Sequence, residues 1–295
     1  MFDFRYHVAS LAAVFLALII GILVGVGISD RGLVDKAKKS LEERRLANLQ
    51  SRLDEATQRS DEFAREQAAA KTFVTETYPV LVRNRLHGDR IAVLFVGSAD
   101  GSVRSAVDRA LTDAGAQQLR LRALKVPVEP RQLDSALVST PDTESYAGKT
   151  KLDSLGRALG QELVLGGDTP LWNALTDALV EERAGASKPA ADGVVVVRTA
   201  PPQRDGTSRF LLGLYEGLSN VGVPAVGVET TDTEESAVAV FRKAGLSSVD
   251  DVDTPTGRLG LVLLLAGAPS GQYGLKPSAH QGSLPPIRKT AGAGG

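Results

Sequence analysis

The chain has few histidines and almost none of the side chains that bind soft metal ions. It contains no cysteine, its one methionine is Met1, and its three histidines are His7, His87 and His280. Disulfides and thiolate metal sites are therefore excluded. The histidines are far apart in sequence, and none follows a strand-like run beside an obvious nucleophile. No G-x-S-x-G motif is present. We predict that the protein is not an enzyme and uses no cofactor.

One acidic cluster and three loops are the remaining candidates for a ligand site. Asp250, Asp251 and Asp253 offer carboxylates to a hard cation, although such a run more often forms a solvated loop beside a helix start. Open α/β sheets bind ligands beyond the carboxyl ends of their strands. The loops expected there are Gly97–Gly101, Pro201–Gly206 and Glu229–Thr233. None has a complete dinucleotide or Walker A pattern. The sequence therefore assigns no catalytic, cofactor-binding or metal-binding residue. It does not decide whether the α/β part binds a small ligand.

Composition limits the partners of the protein. The chain has 295 residues, of which 23% are charged, and its formal net charge is −1. Such a balance produces no overall field toward nucleic acid, so we expect no nucleic-acid partner. The length is sufficient for a membrane anchor, a helical rod and one globular domain.

A membrane anchor is predicted near the amino terminus. Val8–Ile28 is a run of 21 residues without a charge. As a helix it would be roughly 31 Å long, which matches the hydrocarbon core of a bilayer. The apolar core of a cleaved signal is shorter, and no polar region precedes the possible cleavage point before Asp30. We therefore expect residues 1–30 to be a retained transmembrane anchor in contact with membrane lipid.

Small residues recur at every fourth position along this anchor and share one helical face: Ala9, Ala13, Ala17, Gly21 and Gly25. Small residues allow two helix backbones to approach closely in a membrane, where the lipid supplies no hydrophobic force between helices. The pattern favours a helix–helix contact through this face. Alanine and glycine are also common in any membrane helix, so a single G-x-x-x-G pair would be a weak signal.

The segment 31–83 has the pattern of a coiled coil. Eleven positions from 46 to 81 follow an alternating spacing of three and four residues, which is typical of a coiled-coil seam, and eight of them are apolar. The predicted seam residues are Leu46, Leu49, Leu53, Ala56, Phe63, Ala70 and Val74. The alternative is a single amphipathic helix folded onto the globular domain. Near the end of the segment, Tyr78-Pro79 predicts strain, because proline disfavours helical geometry in the residue before it. A coiled coil would allow self-association or pairing with a second coiled-coil protein.

The segment 84–286 alternates between strand and helix patterns, which is typical of a mostly parallel, Rossmann-like α/β sheet with helices on both faces. The predicted strands are Ile91–Val96, the half-buried Leu119–Leu124, Gly193–Val197 and Pro224–Val228. The predicted helices are Ser102–Ala114, two stretches between Leu152 and Arg183, Ser208–Asn220, Glu234–Ala244 and Thr256–Ala268. The last of these begins at the start signal Asp253-Thr254-Pro255. We expect the tail 287–295 to be disordered.

Three motifs resemble the mycobacterial copper transport protein B (MctB) family. They are FRYHVASLAAVFLALIIGILVG from Phe4 to Gly25, VDDVD from Val249 with Gly257-Arg258 after it, and GQYGLK from Gly271 to Lys276. The resemblance runs in order from Phe2 to Pro286. It implies an actinobacterial envelope protein with a role in copper homeostasis, in efflux or in channel formation. It also implies an exported body, with outer-membrane placement as one form.

Two functional hypotheses remain. The resemblance favours copper homeostasis or a channel, whereas the residues favour a non-enzymatic scaffold that binds a partner in cell-wall remodelling or cell separation. Cys and Met are the soft ligands of Cu(I), and this chain has almost none. Topology is also open, because Arg31, Lys36, Lys38 and Lys39 after the anchor favour a cytoplasmic body. We follow the resemblance and expect a single-pass protein of the cell membrane whose body is extracytoplasmic.

Overall fold

The computed structural model describes residues 4–28, 31–99 and 101–287. The chain divides into two compact units, Met1–Ala70 and Lys71–Gly295. The tail from residue 288, for which disorder is predicted, lies outside the described residues. So do Ser29 and Asp30, where a cleaved signal would end, and Asp100 in the loop 97–101.

The first unit contains a helix that is long and apolar enough to cross a membrane. This helix is α1, Phe4–Ile28, and its candidate span is Tyr6–Gly27. None of the side chains of that span is buried within the protein. The second helix, α2, is Arg31–Val82 and runs from the first unit into the second. A helix of membrane-spanning length was predicted, and the structure confirms it.

The helix α2 does not end where proline predicts strain. Pro79 lies inside the helix, which continues to Val82. Tyr78 and Val82 are buried against the sheet-bearing unit, and the guanidinium of Arg258 stands 5.4 Å from the centre of the Tyr78 ring. Tertiary packing holds the last turns, because buried apolar side chains stabilise a helix more than propensity disfavours it.

The second unit is built on a sheet of seven strands in the order β3-β2-β1-β4-β5-β6-β7. The strands are β1 Arg90–Val96, β2 Gln117–Leu124, β3 Val180–Gly185, β4 Gly193–Arg198, β5 Ala225–Val228, β6 Ser247–Val249 and β7 Gln272–Tyr273. All neighbouring pairs are parallel except β2 with β3. The mostly parallel sheet predicted from the sequence is therefore confirmed.

Helices cover both faces of the sheet. They are α3 Ser102–Asp113, α4 Pro130–Val138, α5 Leu152–Leu165, α6 Pro170–Ala174, α7 Thr176–Leu179, α8 Asp205–Ser219, α9 Val238–Lys243 and α10 Pro255–Leu265. Along β1, Ala92, Leu94 and Val96 point into one apolar core, and Ile91 and Phe95 point into the other. The alternation places one core beneath α5 and α8 and the other beneath α3 and α10.

Glycines bring α5 and α8 together at very short range. A Cβ added at Gly156 would stand 2.1 Å from the Phe210 carbonyl oxygen, and one at Gly213 would stand 2.1 Å from that of Asp153. One turn further along each helix, a Cβ added at Gly160 or Gly217 would stand 2.4 or 2.1 Å from a carbonyl oxygen of the facing helix. Each helix therefore carries a pair of glycines four residues apart whose missing side chains allow backbone contact.

Several elements differ from the sequence predictions. The second predicted helical stretch includes Val180–Arg183, which is the start of the antiparallel edge strand β3. The strands β6 and β7 and the helix α4 were not predicted. The strand predicted as half-buried is covered on both faces, since Arg120 and Arg122 are buried. Their guanidinium groups donate to backbone carbonyl oxygens, that of Leu163 at 2.9 Å and that of Ala184 at 2.8 Å. Burial lowers the pKa of Arg122 to about 10.

Candidate functional site

A cleft of about 430 Å³ lies beyond the carboxyl ends of β4 and β5. Arg198 and Thr199 border it from the end of β4, and Glu229, Thr230 and Thr233 border it from the loop after β5. Two of the three predicted loops, those after β4 and β5, contribute to it. This position at the carboxyl edge is the expected one for a ligand site in an open α/β sheet.

The point where the strand order reverses, between β1 and β4, is closed. The N–H groups of Thr199 and Ala200 both donate to the Val96 carbonyl oxygen at 3.0 Å. The Thr199 hydroxyl donates to the Ser98 carbonyl oxygen at 2.8 Å. A Cβ at Gly97 would stand 2.7 Å from Thr199 Oγ1. The backbones of the two loops therefore touch at the place where a Rossmann sheet receives a pyrophosphate.

The acid at the floor of the cleft, Glu229, is buried together with a counter-charge. One carboxylate oxygen accepts from the Ala237 N–H. The other lies 3.8 Å from Lys276 Nζ and has no hydrogen-bond partner among the described residues. Lys276 Nζ donates to the carbonyl oxygens of Thr230 at 2.8 Å and Thr233 at 2.9 Å. The ammonium therefore ties the loop after β5 to the segment after β7.

Asp250 is fully buried and binds the same carboxyl-terminal segment. Its carboxylate accepts from the Leu275 N–H at 2.8 Å, from the Lys276 N–H at 3.3 Å and from the Ser278 hydroxyl at 3.4 Å. The approach requires glycine at position 274, where φ is +139° and a Cβ would stand 2.0 Å from Asp250 Oδ1. These hydrogen bonds offset the free-energy cost of removing the carboxylate from water.

Asp251 is also fully buried, whereas Asp253 is exposed. Asp251 Oδ2 accepts from the Thr254 hydroxyl at 3.0 Å, and Oδ1 has no partner among the described residues. Burial raises the pKa of Asp251 to about 6, and the charges of Asp250 and Asp253 add to the rise. The Asp253 carboxylate accepts from the N–H and hydroxyl of Thr231 at 2.8 and 2.6 Å. The prediction of a solvated loop is therefore wrong for Asp250 and Asp251, because the segments after β5 and β7 cover them.

The helix start predicted beside this cluster is confirmed. The hydroxyl of Thr254 accepts from the Gly257 N–H at 2.9 Å, which caps α10, and Pro255 is its first residue. The Arg258 guanidinium donates to the Asp253 carbonyl oxygen at 3.0 Å. A Cβ at Gly257 would stand 2.0 Å from the Asp251 carbonyl oxygen, so the helix starts in direct contact with the acidic loop.

The structure thus joins two of the motifs that carry the family resemblance, the acidic loop with Gly257-Arg258 and the segment 271–276. We call Asp250, Asp251, Asp253 and Lys276 the C-terminal clasp. The carboxylates at 250 and 253 are occupied mainly by donors of the protein itself. Among the described residues, no group of three or more His, Cys, Asp or Glu side chains is arranged to hold a metal ion. Within the clasp, Asp250 and Lys276 fasten the segment 275–278 to the sheet and to the loop after β5, whereas Asp251 and Asp253 bind the neighbouring Thr254 and Thr231.

The residues predicted for helix–helix contact lie on exposed helix surfaces. Along α1, Ala9, Ala13, Ala17, Gly21 and Gly25 are all exposed, and apart from the adjoining residues and backbone of α1 itself, no described atom lies within 4 Å of a Cβ added at either glycine. Along α2, Leu46, Leu49, Leu53, Ala56, Phe63 and Ala70 are exposed, and Val74 is half-buried. No contact of the structure tests whether these faces pair, so both sets stay predictions.

Two residues that line a second, smaller cavity were missed in the sequence. Arg198 ends the otherwise apolar strand β4, and Tyr215 lies on α8. Both line a narrow cavity of about 80 Å³ between α8 and α9 that adjoins the cleft at Arg198. The sequence gave only a weak signal for Arg198, which is a basic residue directly after four valines. Tyr215 gave none, since an aromatic residue on the apolar face of a helix normally belongs to the core.

Comparison with known proteins identifies relatives over nearly the whole chain. A family model described as "Copper transport outer membrane protein, MctB" matches residues 1–284. Proteins named "Copper transporter MctB" from Mycobacterium bovis and from two strains of Mycobacterium tuberculosis are 26% identical to this chain over 332 residues. The alignment covers 93% of this chain and 96% of each relative. The similarity therefore includes the helical part and the sheet-bearing part.

Proposed function

The chain belongs to the MctB family, and from this premise we propose that it is a membrane-anchored, non-enzymatic envelope protein that serves copper homeostasis by assembling with other protein chains. The mycobacterial relatives are named copper transporters. In this proposal, the efflux or channel role that the family implies is a property of the assembly. Within the described residues, a single copy supplies one helix that could cross a membrane, and one apolar helix lines no aqueous path.

The observation that carries the proposal is the exposed apolar line on α2. Leu46, Leu49, Leu53 and Phe63 are between 58% and 65% exposed. They follow a heptad spacing on one face of the helix, which is the arrangement of a coiled-coil seam. Burying a leucine or phenylalanine side chain is worth about 1.5–3 kcal/mol, so a second helix on this face would gain substantial stability. We propose a coiled coil here, formed with another copy or with a second coiled-coil envelope protein.

Direct copper binding is not part of the proposal. Cu(I) prefers thiolate and thioether ligands, and the sequence has no cysteine and only Met1. His87 and His280 are the histidines outside the anchor. Titration of the full-length protein with Cu(I) against a competing chelator is expected to show no stoichiometric site. A submicromolar site that disappears with His87→Ala or His280→Ala would contradict this part of the proposal.

We propose that the sheet-bearing body lies on the extracytoplasmic side. The family supports this side, whereas the basic residues that follow the anchor, among them Lys38 and Lys39, favour the cytoplasm. A reporter that is active only after export, fused to the carboxyl terminus, is expected to be active. Activity of a cytoplasmic reporter at the same position, with the export reporter silent, would reverse the topology.

A scaffold in cell-wall remodelling or cell separation is the second candidate, and the same exposed seam favours it. The two candidates differ in phenotype. If the seam serves copper homeostasis, its loss lowers copper tolerance. If it serves the cell wall, its loss leaves copper tolerance unchanged and produces unseparated cells.

The test is complementation of a strain that lacks the protein. Leu49→Asp with Leu53→Asp places two charges in the seam, and Ser51→Asp with Gln58→Asp places two charges on the opposite, exposed face of the same helix. The first variant is expected to accumulate copper and to stop growing at a copper concentration that the wild type and the second variant tolerate. Equal copper tolerance of both variants would contradict the copper role of the seam.

A further inference from the structure

The heptad face of α2 is partly covered at its carboxyl end and uncovered before it. Val74, Thr77 and Leu81 continue the spacing of the seam and are half-buried, and Leu81 packs against the core beneath α3 and α10. From Leu46 to Ala70 every position of the same face is exposed. This stretch is about 36 Å long at 1.5 Å per residue. We call it the free seam, and we write Leu46 as heptad position a and Leu49 as position d.

Two polar residues interrupt the free seam, and both are at position a. They are Ser60 and Gln67, and each carries a hydrogen-bond donor and an acceptor. In a parallel pair without a shift, each would face the same residue of a second copy and could hydrogen-bond to it. A slip by one heptad would leave one Gln67 opposite Val74. Polar residues at position a fix the register of a coiled coil in this way. The free seam is therefore complementary to itself in the parallel, unshifted arrangement.

The charges that flank the free seam suit the same arrangement. In a parallel pair, each residue at position g faces the residue at position e that is five positions further along the other copy. Glu66 at position g then faces Lys71 at position e. Both are exposed, and neither side chain forms an ion pair among the described residues. The other facing pairs join a basic and an uncharged residue, and they are Arg45 with Gln50, Arg52 with Thr57, and Arg59 with Ala64.

The three arginines do not require acids from a partner. Arg59 already forms an ion pair with Glu55 of its own helix at 3.2 Å. The guanidinium groups of all three can stay in water, while their aliphatic stems cover the edge of the apolar seam. No like charges therefore face each other between two parallel copies.

An antiparallel pair of copies is less favourable. Positions g would then face each other, so that arginine would face arginine in every register that overlaps most of the free seam. An antiparallel pair centred on the free seam would also separate the two starts of α2 by about 80 Å. A parallel pair keeps the two α1 helices side by side, as a contact through their small-residue faces requires.

We propose that the free seam binds a second copy of this chain in a parallel, unshifted coiled coil, in which Glu66 of each copy pairs with Lys71 of the other. This inference rests on the proposed function, because it names the partner of the seam on which that function depends. It assigns the free seam to self-association and not to a different coiled-coil protein.

Disulfides at chosen positions test the arrangement, because the chain has no cysteine of its own. Ala56→Cys and Ala70→Cys each place one thiol at position d of the free seam. In native membranes treated with an oxidant, both full-length variants are expected to form a species of two disulfide-linked chains. An antiparallel pair could link at one of these positions at most. Ser51→Cys, on the opposite face, is the matched control and should remain a single chain. The proposal is overturned if fewer than two of the seam positions link, or if the control links equally.

A charge exchange tests the pairing of Glu66 with Lys71, with self-association measured by dilution of the full-length protein in detergent micelles. Glu66→Lys places lysine against lysine at two symmetric sites and should weaken association on the order of tenfold. It should not weaken the helix itself, because Glu62 stands four residues before it. Adding Lys71→Glu should restore association. Positions five apart are not neighbours on one helix, so the recovery reports a contact between copies.

Arg65→Glu is the matched control for the charge exchange. Arg65 is at the outward position f, and its substitution changes the charge by the same amount as Lys71→Glu. Association should be unchanged in this variant. A double variant that associates no better than Glu66→Lys would overturn the pairing, as would an equal loss in Arg65→Glu.

Failure of this inference can be distinguished from failure of the proposed function. If Leu49→Asp with Leu53→Asp lowers copper tolerance while neither seam cysteine links two copies, the seam binds a different protein. The proposed function then stands and this inference is overturned. If both cysteines link two copies and the charge exchange restores association, this inference stands even when the seam variant tolerates copper like the wild type.

Discussion

Two sets of small residues in this protein have the same spacing and different surroundings. On α5 and α8, Gly156 and Gly213 each receive the backbone of the facing helix where a side chain would stand. On α1, no described atom beyond the adjoining residues and backbone of the helix lies within 4 Å of the same position at Gly21 and Gly25. In the sheet-bearing unit, the glycine spacing is explained by the backbone of the facing helix, which packs against it. On α1 no described helix packs against the glycines, so we infer that lipid or another helix makes the contact.

The apolar residues of the two units differ in the same way. Leu94, Val195 and Leu214 in the sheet-bearing unit are fully buried, whereas Leu49 and Leu53 on α2 are more than half exposed. The body therefore completes its own cores. On the exposed parts of α1 and α2, the described residues supply no such burial, which is why we propose association for these helices and assign stability to the body.

The largest expected effect is that of Gly213→Ala. A Cβ 2.1 Å from the Asp153 carbonyl oxygen meets backbone that cannot rotate away, so α5 and α8 must separate. Overpacking of this kind costs about 3 kcal/mol in the free energy of unfolding. Denaturant unfolding of the full-length protein measures it. A loss of stability below about 0.5 kcal/mol would show that α5 and α8 can move apart at little cost. The glycines of the sheet-bearing unit would then be no more constrained than those of α1.

Next in size is a pH effect on the body. The pKa of Asp251 is raised by burial to about 6, so between pH 4 and pH 6 the folded state holds a proton that the unfolded state has lost. Stability therefore falls as pH rises through this window, by about 2–3 kcal/mol. Asp251→Asn should flatten the dependence, since an amide does not titrate. Unfolding measured at pH 4, 5, 6 and 7 checks this, and a wild-type profile that rises with pH would contradict it.

Lys276→Met should cost about 2 kcal/mol, because it leaves the buried Glu229 carboxylate without its counter-charge. The value is lower than for fully buried pairs, since the lysine side chain is 18% exposed and 3.8 Å away. Lys188→Met, at an exposed lysine, is the matched control and should change nothing. Adding Glu229→Gln to Lys276→Met should restore part of the lost stability. If the double variant is less stable than Lys276→Met alone, the pair is not the reason for the loss.

The smallest effect on unfolding is expected for Gly21→Leu on α1. An added Cβ at this position meets no described part of the chain beyond its own helix, so the body should unfold unchanged. In membranes, however, the larger side chain should hold two copies of the helix apart and reduce cross-linking. Unchanged cross-linking would contradict a contact through the small-residue face of α1. Association would then be proposed for α2 alone.

The sequence was most informative where a segment carries its own pattern. Ile91–Val96 and Gly193–Val197 are apolar throughout, as buried parallel strands are, and both are strands in the structure. Val180–Arg183 was misassigned, because two adjacent acids and an arginine have no apolar period and the strand forms only by pairing with β2. The strands β6 and β7 have three and two residues, too few for any period to be visible.

The candidate sites were less predictable, because their partners are distant in the chain. The burial of Asp250 depends on N–H donors from Leu275 and Lys276. The sequence around Asp250 gives no indication of these donors. The cavity that Arg198 and Tyr215 line is visible only once α8 and α9 are packed. For the seam on α2, the heptad pattern predicts which face of the helix is covered. It does not predict what covers that face, since lipid, a second copy and a different protein all bury leucine equally well.

The central claim is that the helices associate and the body stands alone. Cross-linking in native membranes, followed by thermal unfolding of the same full-length variants, tests it most directly. Leu49→Asp with Leu53→Asp is expected to abolish cross-linked species and to leave the unfolding temperature of the body unchanged. Ser51→Asp with Gln58→Asp should retain both properties. If cross-linking persists in the seam variant while the body unfolds at a lower temperature, the face of α2 stabilises its own chain, and the assembly account is contradicted.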